Sequence, residues 1–173
     1  MELYLARGFA VRNLRAVAKK GLAIANESNY SDSQRENWPP GLSFGKAYDL
    51  NSLGSFEEIA RNSSGSGLVP IVGAIEINSR NLGLLEGGLY WVRRELGLGR
   101  YGYEEIDWGL VNSLGDLESG YEFTIVPMHL TSDRMNAMGV KVGILDPKRE
   151  LFVYSPYEDF CVAVEGRRRW FEF

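Results

Sequence analysis

A chain of 173 residues, 45% hydrophobic and 24% charged, is long enough to bury one sizeable core and too short for two, so a single domain over residues 1–173 is expected. A formal charge of −4 and a pI near 5.2 exclude a broad electrostatic footprint for nucleic acid, so any DNA or RNA contact has to be local. One cysteine, Cys161, excludes an intramolecular disulfide, and together with the single histidine, His129, it leaves no zinc-ligand set.

There is neither a basic-then-apolar leader nor a long apolar run, so no signal peptide or membrane span is expected, and the cytoplasm is the expected compartment. Glu2-Leu3-Tyr4-Leu5-Ala6 has the composition of a first strand, which runs into Arg7-Gly8-Phe9. A short helix follows. Asn13 can cap it, Leu14, Val17 and Ala18 form its apolar stripe, Lys19 and Lys20 suit its negative end, and Gly21 supplies the left-handed stop.

Residues 26–40 are mostly polar apart from Trp38, and Pro39-Pro40-Gly41 blocks a regular ladder, which predicts a loop. Leu42-Ser43-Phe44 reads as a very short strand. Ser55-Phe56-Glu57-Glu58 matches a capping box that would open a helix to about Asn62, and Asn62 to Gly67 has the composition of a flexible connector. Leu68 to Ile77 is the most apolar run in the chain and predicts a central strand with Pro70 near its start. Glycine stops at Gly97 and Gly115 predict helices over Gly88–Leu96 and Glu104–Leu114.

Tyr121 to Val126 predicts a strand ended by Pro127, with Tyr121, Phe123 and Ile125 on one face and Glu122, Thr124 and Val126 on the other. Thr131 or Ser132 can cap a helical turn through Met135. Gly139 to Leu145 and Leu151 to Tyr154 read as hairpin strands joined by a turn at Asp146-Pro147-Lys148-Arg149. Phe160 to Val164 and Trp170 to Phe173 predict further strands, and Cys161, inside the first of them, reads as a buried structural thiol. Arg167-Arg168-Arg169 reads as a solvated turn.

Glu122 carries the functional reading, because it sets one acid at the mouth of an otherwise apolar strand. It is either a solvent-facing edge residue or a catalytic carboxylate. Three stretches in this order, Leu3-Tyr4-Leu5-Ala6-Arg7-Gly8, Pro40-Gly41-Leu42-Ser43-Phe44 and Tyr121-Glu122-Phe123-Thr124-Ile125-Val126-Pro127, together resemble the NAD-binding core of the Arg-Ser-Glu branch of ADP-ribosyltransferases. In that branch a first strand ends in arginine, a second carries a serine, and a third starts with a glutamate. The branch that uses histidine in the first motif fits less well, since His129 follows the third motif. Two positions depart from the pattern: the second motif reads Ser43-Phe44-Gly45 rather than Ser-Thr-Ser, and Gly120 stands where many protein-modifying members place a second Glu or Gln.

The resemblance implies an α+β fold, a split and mostly antiparallel sheet with short flanking helices. It implies NAD as substrate and a macromolecular acceptor, a protein in the first instance with nucleic acid left open, and neither membrane nor metal. Glu122 would be the catalytic acid. Arg7 would hold the pyrophosphate or adenine ribose, Ser43 the nicotinamide-side ribose or Glu122 itself, and Gly8 would let the carboxamide approach its backbone. Phe44 or Tyr48 would stack on nicotinamide and Trp38 would act as a lid. Such proteins include toxins, phage effectors and inhibitors of host defence. Two rivals are a non-catalytic inhibitor that occupies a partner surface, its acidic charge aiding docking to a basic target, and an RNA 2′-phosphotransferase, which calls for a strongly basic pocket.

Overall fold

A computed structural model describes residues 3–9, 11–23, 41–47, 50, 71–85, 87–94, 101–105, 122–125, 129–146 and 148–166. Ten strands are present among them: β1 Leu3–Gly8, β2 Leu22–Ala23, β3 Leu42–Ala47, β4 Ile71–Ile77, β5 Leu89–Arg94, β6 Tyr101–Glu105, β7 Glu122–Ile125, β8 His129–Leu130, β9 Lys141–Asp146 and β10 Leu151–Pro156. The helices are short: α1 Leu14–Lys20, α2 Ser79–Gly83, α3 Ser132–Ala137 and α4 Tyr157–Glu165, with a 3₁₀ turn at Val11–Asn13 leading into α1. Eight strands form one sheet in the order β10-β9-β4-β1-β3-β7-β5-β6, and every pairing within it is antiparallel. The protein is therefore mixed α and β, with an antiparallel sheet and a few short helices.

The apolar run predicted as a central strand is β4, hydrogen-bonded to β1 on one side and β9 on the other. Its burial explains why it does not alternate with polar residues. Ile71, Ile75 and Ile77 join a core that also contains Leu5, Phe44 and Phe123, together with Leu14 and Val17 of α1, Met135 of α3, and Tyr157 and Phe160 of α4. Val72 and Ala74 point the other way, into a smaller cluster with Ala6, Leu145 and Phe152. A strand covered on both faces needs apolar residues at consecutive positions. Each buried Leu, Ile or Phe contributes about 1.5–3 kcal/mol of transfer free energy, so the larger helix-covered face carries most of the stability.

The helix layer is tied down by backbone carbonyls at the end of α1. The Tyr157 hydroxyl lies 2.5 Å from Val17 O and 3.0 Å from Ala18 O, and Cys161 Sγ lies 3.2 Å from Ala18 O. Burial pushes both the Tyr157 phenol and the Cys161 thiol up from their ordinary values, so each stays protonated and able to donate. Phe9, just past β1, meets Phe160 of α4 edge-on with ring centroids 6.3 Å apart.

Gly21 closes α1 as predicted, donating its N–H to Val17 O at 2.9 Å, but in a more demanding conformation. Its φ is +89°, and a Cβ there would stand 2.0 Å from Leu130 O. Only glycine lets β2 leave the helix this close to β8, where Leu22 pairs with Leu130 and Ala23 with His129. His129 Nε2 sits 2.5 Å from Lys20 O, an acceptor, so that nitrogen carries the proton.

Several expectations hold. β1, α1, β9, β10 and the turn between the last two stand where the residues put them, although the Asn13 side chain makes no capping bond. In the turn, Asp146 Oδ1 accepts from the amides of Lys148 at 2.9 Å and Arg149 at 3.4 Å, while Thr131 caps α3 by accepting from Arg134 N.

Three expectations are overturned. Gly88–Leu96 is not a helix: Leu89–Arg94 is β5, between β7 and β6, because Leu89-Tyr90-Trp91-Val92 is a β-forming run and Gly88, at φ +91°, marks the entry rather than a helical position. The helix predicted to begin at Glu104 does not, since Glu104 and Glu105 end β6 and pair with Trp91 and Tyr90. Phe160–Val164 is not a strand. It lies in α4, where Tyr157, Phe160, Cys161 and Val164 recur at helical spacing and turn one face to the core, with Glu158 and Asp159 in the first turn suiting the helix dipole. The expectations for Trp38, Tyr48, Ser55–Asn62, Asn62–Gly67, Gly120, Arg167–Arg169 and Trp170–Phe173 lie outside the described residues.

Candidate functional site

The three strands that carry Arg7, Ser43 and Glu122 are consecutive neighbours. β1 pairs with β3 and β3 pairs with β7. The pairs Ala6 with Gly45, Ser43 with Thr124 and Phe44 with Phe123 fix the register. Continued by two residues along β1 and one along β7, it gives three successive rows across the strands: Gly8, Ser43 and Thr124; Arg7, Phe44 and Phe123; and Ala6, Gly45 and Glu122. Ser43 and Glu122 thus occupy alternate rows, with Arg7 in the row between.

A strand spacing of about 4.8 Å and a rise of about 3.4 Å per residue put the Cα of Glu122 about 8 Å from that of Ser43 and about 10 Å from that of Arg7. Stretches separated by more than 30 residues in sequence therefore share one patch of backbone. Successive rows face opposite ways, and Glu122 opens β7 at the end away from the Leu42–Ile125 pair, so the three positions share neither one face nor one strand end.

The register also places the strand that carries Glu122 within the sheet. β7 is hydrogen-bonded on both sides, to β3 through Phe44 and Phe123 and to β5 through Val92 and Glu122. Glu122 is therefore the first residue of an interior strand of the sheet. β1 and β3 are interior as well, each flanked by two partners.

The other candidates differ in standing. Gly8 is buried and pairs with Val72, while Arg7 is half-buried and pairs with Gly73. Phe44 is 2% exposed and belongs to the larger core, so it has almost no surface left for a nicotinamide ring to stack on.

A cavity of about 270 Å³ opens elsewhere on the sheet, over β1, β4 and the start of β9, walled by α2 and the end of α3. None of the residues singled out in the sequence lines it. Tyr4, three residues before Arg7 on β1, does, together with Glu76, Arg80, Asn81 and Lys141. Asn81 is 3% exposed, and its Nδ2 donates to Glu76 O at 2.6 Å and Met138 O at 3.0 Å, while its own amide N–H bonds the capping Asn78 Oδ1 at 2.9 Å. Sequence reading missed this cavity because its lining comes from four separated segments with no shared spacing. The one local signal was the Asn78-Ser79-Arg80-Asn81 run directly after an apolar strand, which is a helix start.

Among the described residues no group of three or more His, Cys, Asp or Glu could hold a metal ion, and no helix is long and apolar enough to cross a membrane. Comparison with protein-family models, with curated proteins and with solved structures gives no match to this chain.

Proposed function

We propose that the protein is an NAD-dependent ADP-ribosyltransferase that modifies a macromolecule, with Glu122 as its catalytic acid. What supports the reading most is the succession of β1, β3 and β7 as interior neighbours, which brings the backbone of an arginine, a serine and a glutamate from three distant stretches within about 10 Å.

In the reaction, the bond between nicotinamide and the ribose C1′ breaks and nicotinamide leaves with the electron pair. Positive charge then builds on the ribose as in glycoside hydrolysis. The Glu122 carboxylate holds a ribose hydroxyl and stabilises that charge, an interaction that strengthens as the transition state forms. Arg7 binds the pyrophosphate through its planar fork and Ser43 fixes the ribose beside it. The acceptor nucleophile attacks C1′ and gives up its proton, completing the transfer of ADP-ribose.

The test is incubation of the purified protein and of Glu122→Gln with labelled NAD and cell extract. Label should pass to a macromolecule, with transfer falling at least about 100-fold in the variant, the scale expected when a group that stabilises transition-state charge is lost. Binding to a partner without consumption of NAD would instead identify a non-catalytic inhibitor.

A further inference from the structure

The cavity over β1, β4 and β9 is chemically unlike the Arg7, Ser43 and Glu122 patch, and its walls are charged without being neutralised. Lys141 enters through β9, opposite Ala74 of β4, and Glu76 lies two residues further along β4, opposite Tyr4 of β1. Positions related in this way are diagonal neighbours about 7–8 Å apart, within reach of long side chains. Arg80 comes in from α2. Arg80 and Lys141 are exposed and Glu76 is half-buried. Among the described residues these three side chains form no ion pair with one another or with any other group.

Asn81 adds an independent observation. Its amide nitrogen must face Glu76 O and Met138 O, because the reverse orientation would set oxygen against two carbonyls. That assignment leaves Oδ1 as an acceptor that receives no hydrogen bond among the described residues, on a side chain 3% exposed. Asn81 also lines the cavity. A buried acceptor of this kind calls for a donor.

We propose that this cavity binds a small zwitterionic molecule that carries an anionic carboxylate or phosphate and a hydrogen-bond-donating amine. Two cations against one carboxylate leave net positive charge for the anionic group, which Arg80 and Lys141 hold. Glu76 and Asn81 Oδ1 can only accept, so the opposite end of the ligand donates. Tyr4 supplies an aromatic wall. A volume of about 270 Å³ suits a free amino acid or a phosphorylated amino alcohol.

Calorimetric titration of the full chain tests this, with the common amino acids as one arm and phosphoethanolamine as the other. Inorganic phosphate, acetate and methylammonium serve as the separated halves of the ligand. Binding in either arm with a Kd below about 1 mM is expected, weakened about 10-fold or more in each of Arg80→Ala, Lys141→Ala and Glu76→Gln. The melting temperatures of the unliganded variants should stay within about a degree of wild type, because surface substitutions seldom disturb stability. The arm that binds identifies the source of the anion. Three results overturn the proposal: no zwitterion binding, binding undiminished in all three variants, or inorganic phosphate binding as tightly as the best zwitterion. Glu122→Gln should leave this binding unchanged, which separates its fate from that of the transfer activity.

Discussion

Replacing Tyr157 with phenylalanine probes how the helix layer is fastened to itself. The hydroxyl lies within hydrogen-bonding distance of two carbonyls at the end of α1, but it has a single proton to give. Neither carbonyl is left bare without it: Val17 O keeps the Gly21 amide at 2.9 Å and Ala18 O keeps Cys161 Sγ at 3.2 Å. The cost is therefore that of one net buried hydrogen bond, about 1–2 kcal/mol, without the penalty of a fully orphaned acceptor. For a chain of this length each kcal/mol shifts the melting temperature by roughly 2–4 °C, so Tyr157→Phe should melt about 3–6 °C lower near pH 7.5.

The pH dependence gives a second, signed readout. Burial raises the Tyr157 phenol above its ordinary value of 10.0, with smaller contributions from neighbouring Cys161. The contribution of the neutral phenol is thus fully present below pH 10. As pH rises past 10 the unfolded chain releases its proton while the folded chain holds it, so the contribution shrinks. Cys161, raised from 9.0 mainly by burial, loses its contribution in the same direction from about pH 9, in both proteins. The melting-temperature gap between wild type and Tyr157→Phe, followed by far-ultraviolet circular dichroism, should therefore narrow between pH 9 and 11. A gap below about 1 °C at pH 7.5, or one that widens above pH 10, would refute the assignment of this hydroxyl as a neutral donor to α1.

Two further substitutions test the positions that hold β2 and the cavity wall. Gly21→Ala combines a glycine-only conformation, worth about 1–3 kcal/mol, with a Cβ 2.0 Å from the Leu130 carbonyl. It should lower stability by more than about 3 kcal/mol in urea unfolding and speed amide exchange at Leu130; a change under 1 kcal/mol would mean that β2 does not depend on this glycine. Asn81→Ala removes donors to the Glu76 and Met138 carbonyls and should cost about 2–3 kcal/mol. Asn81→Asp should cost more at pH 7, where a carboxylate faces those carbonyls, than at pH 4 or below, where a protonated acid can donate to one of them; equal costs at both pH values would contradict the geometry.

Legibility in the sequence followed the kind of signal each element carries. α1 and the β9–β10 hairpin were readable because cap, stripe, stop and turn residues agree locally, and β4 because an uninterrupted apolar run has few alternatives. β5 and α4 were misread in opposite directions for related reasons. A glycine after Leu89–Arg94 looked like a helix stop, although the residues themselves prefer a strand. The β-branched residues of α4 looked like a strand, although helical spacing from Tyr157 to Val164 places one face on the core.

Register was not legible at all. That β7 is an interior strand rather than an edge depends on β5 pairing beside it, and the misread β5 is the segment that decides it. The cavity was equally hidden, because Asn81 reaches across 57 residues of chain to Met138, a contact that no local pattern encodes.

The central claim rests on Glu122, and transfer of labelled ADP-ribose from NAD to a macromolecule in cell extract tests it most directly. The account predicts transfer by the wild-type chain and a loss of about 100-fold or more in Glu122→Gln, with the variant folded and melting at the wild-type temperature. Transfer that survives the substitution, or NAD left intact by the wild-type chain in every extract, would contradict it.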